Sequence, residues 1–109
     1  MSHLSTHVLD TTHGRPAAGI AVTLTDAAGS VVAVGTTDED GRVGDLGPDL
    51  LPPGGWTLTF ATGEHWARLG LPVFHPRVDV TFVVPEPPAG HYHVPLLISP
   101  FAYSTYRGS

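Results

Sequence analysis

At 109 residues the chain has room for one core, burying about two-thirds of the extended chain's surface, and not for two. Hydrophobic residues make up 41% and charged residues 14%, which excludes a disordered chain, and a net charge of -5 with no lysine and scattered arginines excludes a general nucleic-acid surface. Cysteine is absent, which excludes disulfides, thiolate metal sites and thiol catalysis.

Thirteen glycines and eleven prolines, set between short runs of Val, Leu, Ile, Thr and Phe, predict strands and turns in one domain spanning residues 1–109. The first residues, Met1 to His7, have no basic start and no apolar stretch of signal-peptide type, and no run is long enough to span a membrane. The expected location is therefore cytoplasmic.

In chain order, His7 to Asp10 is the first expected strand, closed by the turn His13-Gly14-Arg15-Pro16. Ile20, Val22 and Leu24 then alternate with Ala21, Thr23 and Thr25, and Ser30 to Thr37 and Arg42 to Leu46 follow around Ala28-Gly29 and Asp40-Gly41. Trp56, Leu58 and Phe60 oppose Thr57, Thr59 and Ala61 on the next strand. Gly63 to Leu69 breaks alternation and predicts one short helix with Gly70 as its C-terminal stop. Val78, Val80, Phe82 and Val84 share one strand face, the Pro-rich run Pro85 to Gly90 is a stiff loop, and His91 to Ile98 and Phe101 to Tyr106 complete eight strands. Eight short strands at this spacing predict an all-β, two-sheet sandwich.

Chemistry concentrates near the C-terminus. His91, His93 and Pro95 share one face of their strand, with Tyr92, Val94, Leu96 and Ile98 on the other. Pro95 lacks the N–H that a ladder needs, so this strand is expected at a sheet edge or bulged. A His-x-His pair of this kind fits a hydrogen-bonded structural pair, two ligands of a metal site that needs a third, or acid/base catalysis near neutral pH. His7 reads either as a half-buried strand-end histidine or as a second catalytic imidazole. Arg42, after Asp38-Glu39-Asp40-Gly41, reads either as a solvated charge paired with those carboxylates or as a guanidinium fork for a planar ligand. His3, His13, His65 and His75 lack a comparable setting and are expected on the surface or in turns. The tail, Tyr103-Ser104-Thr105-Tyr106-Arg107-Gly108-Ser109, alternates aromatic and hydroxyl groups up to the terminus. It contains no phosphate loop, nucleophile elbow or HExxH stretch, and neither does the rest of the chain.

Three segments together resemble the 5-hydroxyisourate hydrolases, relatives of transthyretin: His7-Val8-Leu9-Asp10-Thr11 with Gly14-Arg15-Pro16-Ala17, Thr37 to Arg42, and His91 to Ser109. The terminal Tyr-Arg-Gly-Ser is the specific part, since transthyretin, the hormone-binding relative, lacks it and also lacks a histidine at the position of His7. The resemblance implies an eight-stranded, transthyretin-like (prealbumin-like) sandwich with one short helix. It also implies a homotetramer, a dimer of dimers with active sites at the dimer–dimer interface, acting on a small-molecule substrate. The site it implies comprises His7, Arg42, His93 and Ser109 as catalytic residues, with His7, Arg42, Tyr106 and Arg107 binding substrate and His91 supporting. No cofactor and no metal are implied. Three rival classes remain at this point: a carrier that binds a small molecule without catalysis, a metalloenzyme with His7, His91 and His93 as ligands, and a purely structural β-sandwich.

Overall fold

The alternation along Trp56, Leu58 and Phe60 marks the centre of one sheet, and all three side chains are buried. The computed structural model describes residues 3–108. The strands are β1 (Leu4–Asp10), β2 (Arg15–Pro16), β3 (Ala21–Asp26), β4 (Val31–Thr36), β5 (Arg42–Val43), β6 (Gly54–Phe60), β7 (Val78–Val84), β8 (Tyr92–Ser99) and β9 (Ala102–Thr105), with helix α1 (Thr62–Arg68) between β6 and β7. One sheet has the order β4-β3-β6-β7; the other has the order β2-β1-β8-β9, with β5 also paired to β1.

The two sheets close over Leu4, Val8, Leu24, Leu58, Phe60, Leu96 and Ile98, each at most 1% exposed. Burying a side chain of this size contributes about 1.5–3 kcal/mol. Helix α1 caps the sandwich through Trp66, buried to 1% exposure. It stops where expected: Gly70, at φ +71°, lets its N–H reach the Ala67 carbonyl while the Leu71 N–H reaches that of Trp66, the paired bonds of a Schellman motif.

Several expectations change. The turn at Arg15–Pro16 is itself a two-residue strand, so there are nine strands among the described residues, and the strand at Arg42 lasts only two residues. The first strand begins at Leu4, three residues before the expected start. Strand β8 is not an edge strand: it lies between β1 and β9, parallel to β1. Pro95 is tolerated there because the β8–β9 ladder runs only to the Leu96–Thr105 pair and resumes as a single bridge between His93 and Gly108. The proline occupies that interruption, and its carbonyl accepts the Thr105 hydroxyl at 2.7 Å.

His3 and His65 are buried rather than exposed, at 3% and 8%. The His3 ring accepts the Leu51 N–H at Nδ1 (2.9 Å), so its Nε2–H donates to the Ala89 carbonyl (2.6 Å), tying the N-terminal strand to two loops. His65 Nε2 lies 3.0 Å from Asp10 Oδ2, and His13 Nδ1 lies 2.7 Å from the same oxygen. Asp10 is 1% exposed. Its burial opposes ionisation, but the hydrogen bonds from His65 and His13 outweigh that and hold the carboxyl below its ordinary value.

Candidate active site

Strand β1 sends Leu4, Thr6, Val8 and Asp10 into the core and leaves Ser5, His7 and Leu9 half-buried on the opposite face. Its parallel pairing with β8 sets Ser5 opposite His93 and His7 opposite Pro95. Its antiparallel pairing with β5 sets Arg42 opposite His7. Three chain segments far apart in sequence thus bring two imidazoles and a guanidinium to one sheet face.

Arg42 is delivered there by a tight turn. Asp38 Oδ1 accepts the N–H groups of Asp40 and Arg42, at 2.9 and 3.0 Å. Gly41 follows at φ +75°, where its carbonyl accepts the Val8 N–H at 2.7 Å. A Cβ at position 41 would collide with the Val8 carbonyl, so only glycine lets the turn dock beside His7. The Asp38 carboxylate is spent on backbone N–H groups, and no carboxylate forms an ion pair with the Arg42 side chain among the described residues. The guanidinium is exposed and available to a ligand.

His93 lies within reach of several partners. Ser5 Oγ is 2.8 Å from its Nδ1 and 2.9 Å from His91 Nε2, so one hydroxyl bridges both histidines. The His93 carbonyl accepts the Gly108 N–H at 2.8 Å, and a Cβ on Gly108 would sit 2.5 Å from His93 Cδ2. The His93 ring is held below the ordinary histidine value, first by burial and then by the charge of Arg42, with smaller contributions from His7 and His91; the Ser5 backbone pulls the other way. A neutral imidazole near neutral pH, beside a fixed cation, can take a proton from water while the cation stabilises developing negative charge.

Ser5, Thr6, Arg42, Gly44, His91 and His93 line an open depression of about 300 Å³. Tyr106 and Arg107 lie elsewhere: with Phe82, Tyr92 and the other side of His93 they line a larger apolar cavity of about 540 Å³. The Arg107 guanidinium stacks over the Tyr92 ring, 5.0 Å from its centroid. Within one chain, therefore, His7, Arg42 and His93 come together, whereas Arg107 is turned toward the core side of β8. Ser109 lies outside the described residues, although the Gly108–His93 bridge carries the chain up to the site. No three His, Cys, Asp or Glu side chains converge as a metal site requires among the described residues.

Ser5 was missed in the sequence because the strand was started at His7. Extending the two-residue period upstream from His7 would have put Ser5 on the same face.

The family model described as HIUase/Transthyretin matches residues 4–108. The chain belongs to the HIUase/transthyretin family. It is 44% identical over 116 residues to a 5-hydroxyisourate hydrolase of Caulobacter vibrioides, covering all of both proteins. It superposes on the structure of Klebsiella pneumoniae 5-hydroxyisourate hydrolase with a TM-score of 0.91 and 40% identity, again covering both chains fully. Transthyretin from Sparus aurata gives a TM-score of 0.90 at 31% identity, covering 99% of this chain and 97% of that one. The family fold is thus common to hydrolase and transthyretin members, and backbone shape does not separate them. No helix is long and apolar enough to cross a membrane among the described residues.

Proposed function

We propose that this protein hydrolyses 5-hydroxyisourate, opening its six-membered ring to give 2-oxo-4-hydroxy-4-carboxy-5-ureidoimidazoline. The observation that carries the proposal is the setting of His93: an imidazole with a lowered affinity for protons, one rung from His7 and influenced by the charge of Arg42. A carrier has no need of such a group. The full-length identity to a relative named for this activity supports the same reading.

His93 removes a proton as water adds to the ring carbonyl, and Arg42 stabilises the oxyanion that forms. His7 supplies a proton to the departing ring nitrogen as the C–N bond breaks. The water is consumed, its hydroxyl ending in the new carboxyl group. No step calls for a metal or other cofactor. Ser109 holds the water or a histidine. Tyr106 and Arg107, which line the neighbouring cavity on the other side of His93, form a wall of the site when a facing subunit brings them to it.

The depression is open in one chain and Arg42 is exposed, so a second copy placed against this face would enclose the substrate. A homotetramer, a dimer of dimers with the site at the dimer–dimer interface, satisfies that need. The test is the loss of absorbance of freshly generated 5-hydroxyisourate with and without chelator. Turnover well above buffer and insensitive to chelator supports the proposal; decay at the buffer rate overturns it in favour of a carrier, and chelator-sensitive turnover overturns its metal independence.

A further inference from the structure

The Ser5 hydroxyl occupies a position that the catalytic scheme above does not use. It is placed by the β1–β8 register, directly opposite His93, and it contacts two imidazoles at hydrogen-bond distance. A hydroxyl has one proton to donate. The bridge His91–Ser5–His93 can therefore run in two senses when both rings are neutral and the hydroxyl proton stays within it. In one, His91 donates to Ser5 and Ser5 donates to His93 Nδ1, leaving a proton on His93 Nε2. In the other, His93 Nδ1–H donates to Ser5 and Ser5 donates to His91 Nε2, leaving a lone pair on His93 Nε2.

The position of the bridge chooses between them. His93 Nδ1 is taken up by the Ser5 hydroxyl at 2.8 Å, so a base at this ring has only Nε2 to offer, and Nε2 carries a free lone pair only when the proton sits on Nδ1 and is donated to Ser5. In addition, the Cδ2 edge of the ring, which carries Nε2, lies against Gly108 at the start of the terminal dipeptide, where the absent Cβ leaves space. That edge faces the part of the chain that leads to Ser109.

We propose that Ser5 is a positioning residue: its hydroxyl, bridging His91 and His93, fixes His93 as the Nδ1–H tautomer and so bares Nε2 as the base that meets water. This deepens the hydrolase reading and rests on it for its consequence in turnover, but the tautomer is a property of the resting protein. His91 serves as the acceptor that holds the Ser5 hydroxyl in the required direction. Partners that orient a metal-bound imidazole carry about 10- to 100-fold of activity, and the same order is expected of one that orients a base.

The experiment is nitrogen NMR of imidazole-labelled protein, read together with turnover, on wild type, Ser5→Ala and Ser5→Thr. Wild-type His93 is expected as Nδ1–H with Nε2 unprotonated. Ser5→Ala is expected to shift the ring toward Nε2–H and lower kcat about 10- to 100-fold with a smaller change in KM, and Ser5→Thr, which keeps the hydroxyl, to restore both. An Nε2–H tautomer in wild type, or an unchanged tautomer and kcat in Ser5→Ala, overturns the proposal. Should Ser5→Ala not fold, the wild-type and Ser5→Thr spectra still decide the tautomer. A wild-type protein with the expected tautomer but no hydrolysis would instead defeat the assignment of activity.

Discussion

His7 and His93 are diagonal neighbours on paired parallel strands: the register that sets Ser5 opposite His93 sets His7 opposite Pro95, one step along the same face. Their imidazoles emerge together although 86 positions separate them in the chain. Replacing either by Ala should lower kcat by about 10²- to 10⁴-fold, the usual range for a positioned acid or base. Both side chains are only half-buried, so the unfolding midpoint should move little. Steady-state kinetics with thermal unfolding checks this, and near-normal turnover in His93→Ala would remove His93 from the chemistry.

The pH dependence has a defined sign. His93 works as a base only when neutral, and its affinity for protons is lowered mainly by burial and next by Arg42. The acid limb of kcat/KM should therefore have its midpoint below 6.5, the ordinary value for histidine. In Arg42→Leu the midpoint should rise toward that value without reaching it, since burial remains. The same variant should lose about 10²- to 10³-fold in kcat if the guanidinium faces the oxyanion. A profile with its acid midpoint unmoved by the substitution would separate Arg42 from His93.

Gly108 offers a steric test. Its N–H bonds the His93 carbonyl, and the space where a Cβ would sit is filled by the His93 ring edge. Gly108→Ala must displace either the imidazole or the tail, and a shift of about 1 Å at a reacting group can cost about 10²-fold in rate. A fall in kcat of that order is expected, with a near-native circular dichroism spectrum. Deleting Gly108 and Ser109 together should be at least as damaging; unchanged kcat/KM in both variants would show that the tail takes no part.

The sandwich was legible where apolar residues alternate without interruption, as in Trp56 to Phe60 and Val78 to Val84. It was less so in β1, whose core-facing positions include Thr6 and Asp10. These polar groups are buried because they are satisfied, Thr6 by the Val94 carbonyl at 2.6 Å and Asp10 by two histidines, and a hydrophobic period cannot register them. The same gap hid His65, whose partner is 55 positions away. His7, Arg42 and His93 could be named one by one, and only the resemblance to a family joined them. Their convergence depends on β1 lying parallel to β8, a long-range pairing that no local pattern encodes. Pro95 misled for a related reason: a missing N–H excludes a continuous ladder, and the chain met that by opening the ladder opposite Tyr106 and Arg107 instead of moving the strand to an edge.

The buried Asp10 cluster yields a prediction about stability that is separate from catalysis. Burial would raise the Asp10 carboxyl, yet the hydrogen bonds from His65 and His13 hold it below 3.8. A carboxyl depressed on folding contributes stability that is complete above its unfolded value and is lost as pH falls through the folded one. Asp10→Asn removes the charge and leaves the shape, so the variant should unfold with about 1.5–3 kcal/mol less stability at neutral pH, the range for hydrogen bonds to a charged group. The difference from wild type should persist down to about pH 4 and shrink only below it. Denaturant unfolding at a series of pH values measures it. A difference that closes while the carboxyl is still ionised would mean that the two histidines bind Asp10 no better than they bind an amide, and that the cluster holds helix α1 against β1 by packing alone.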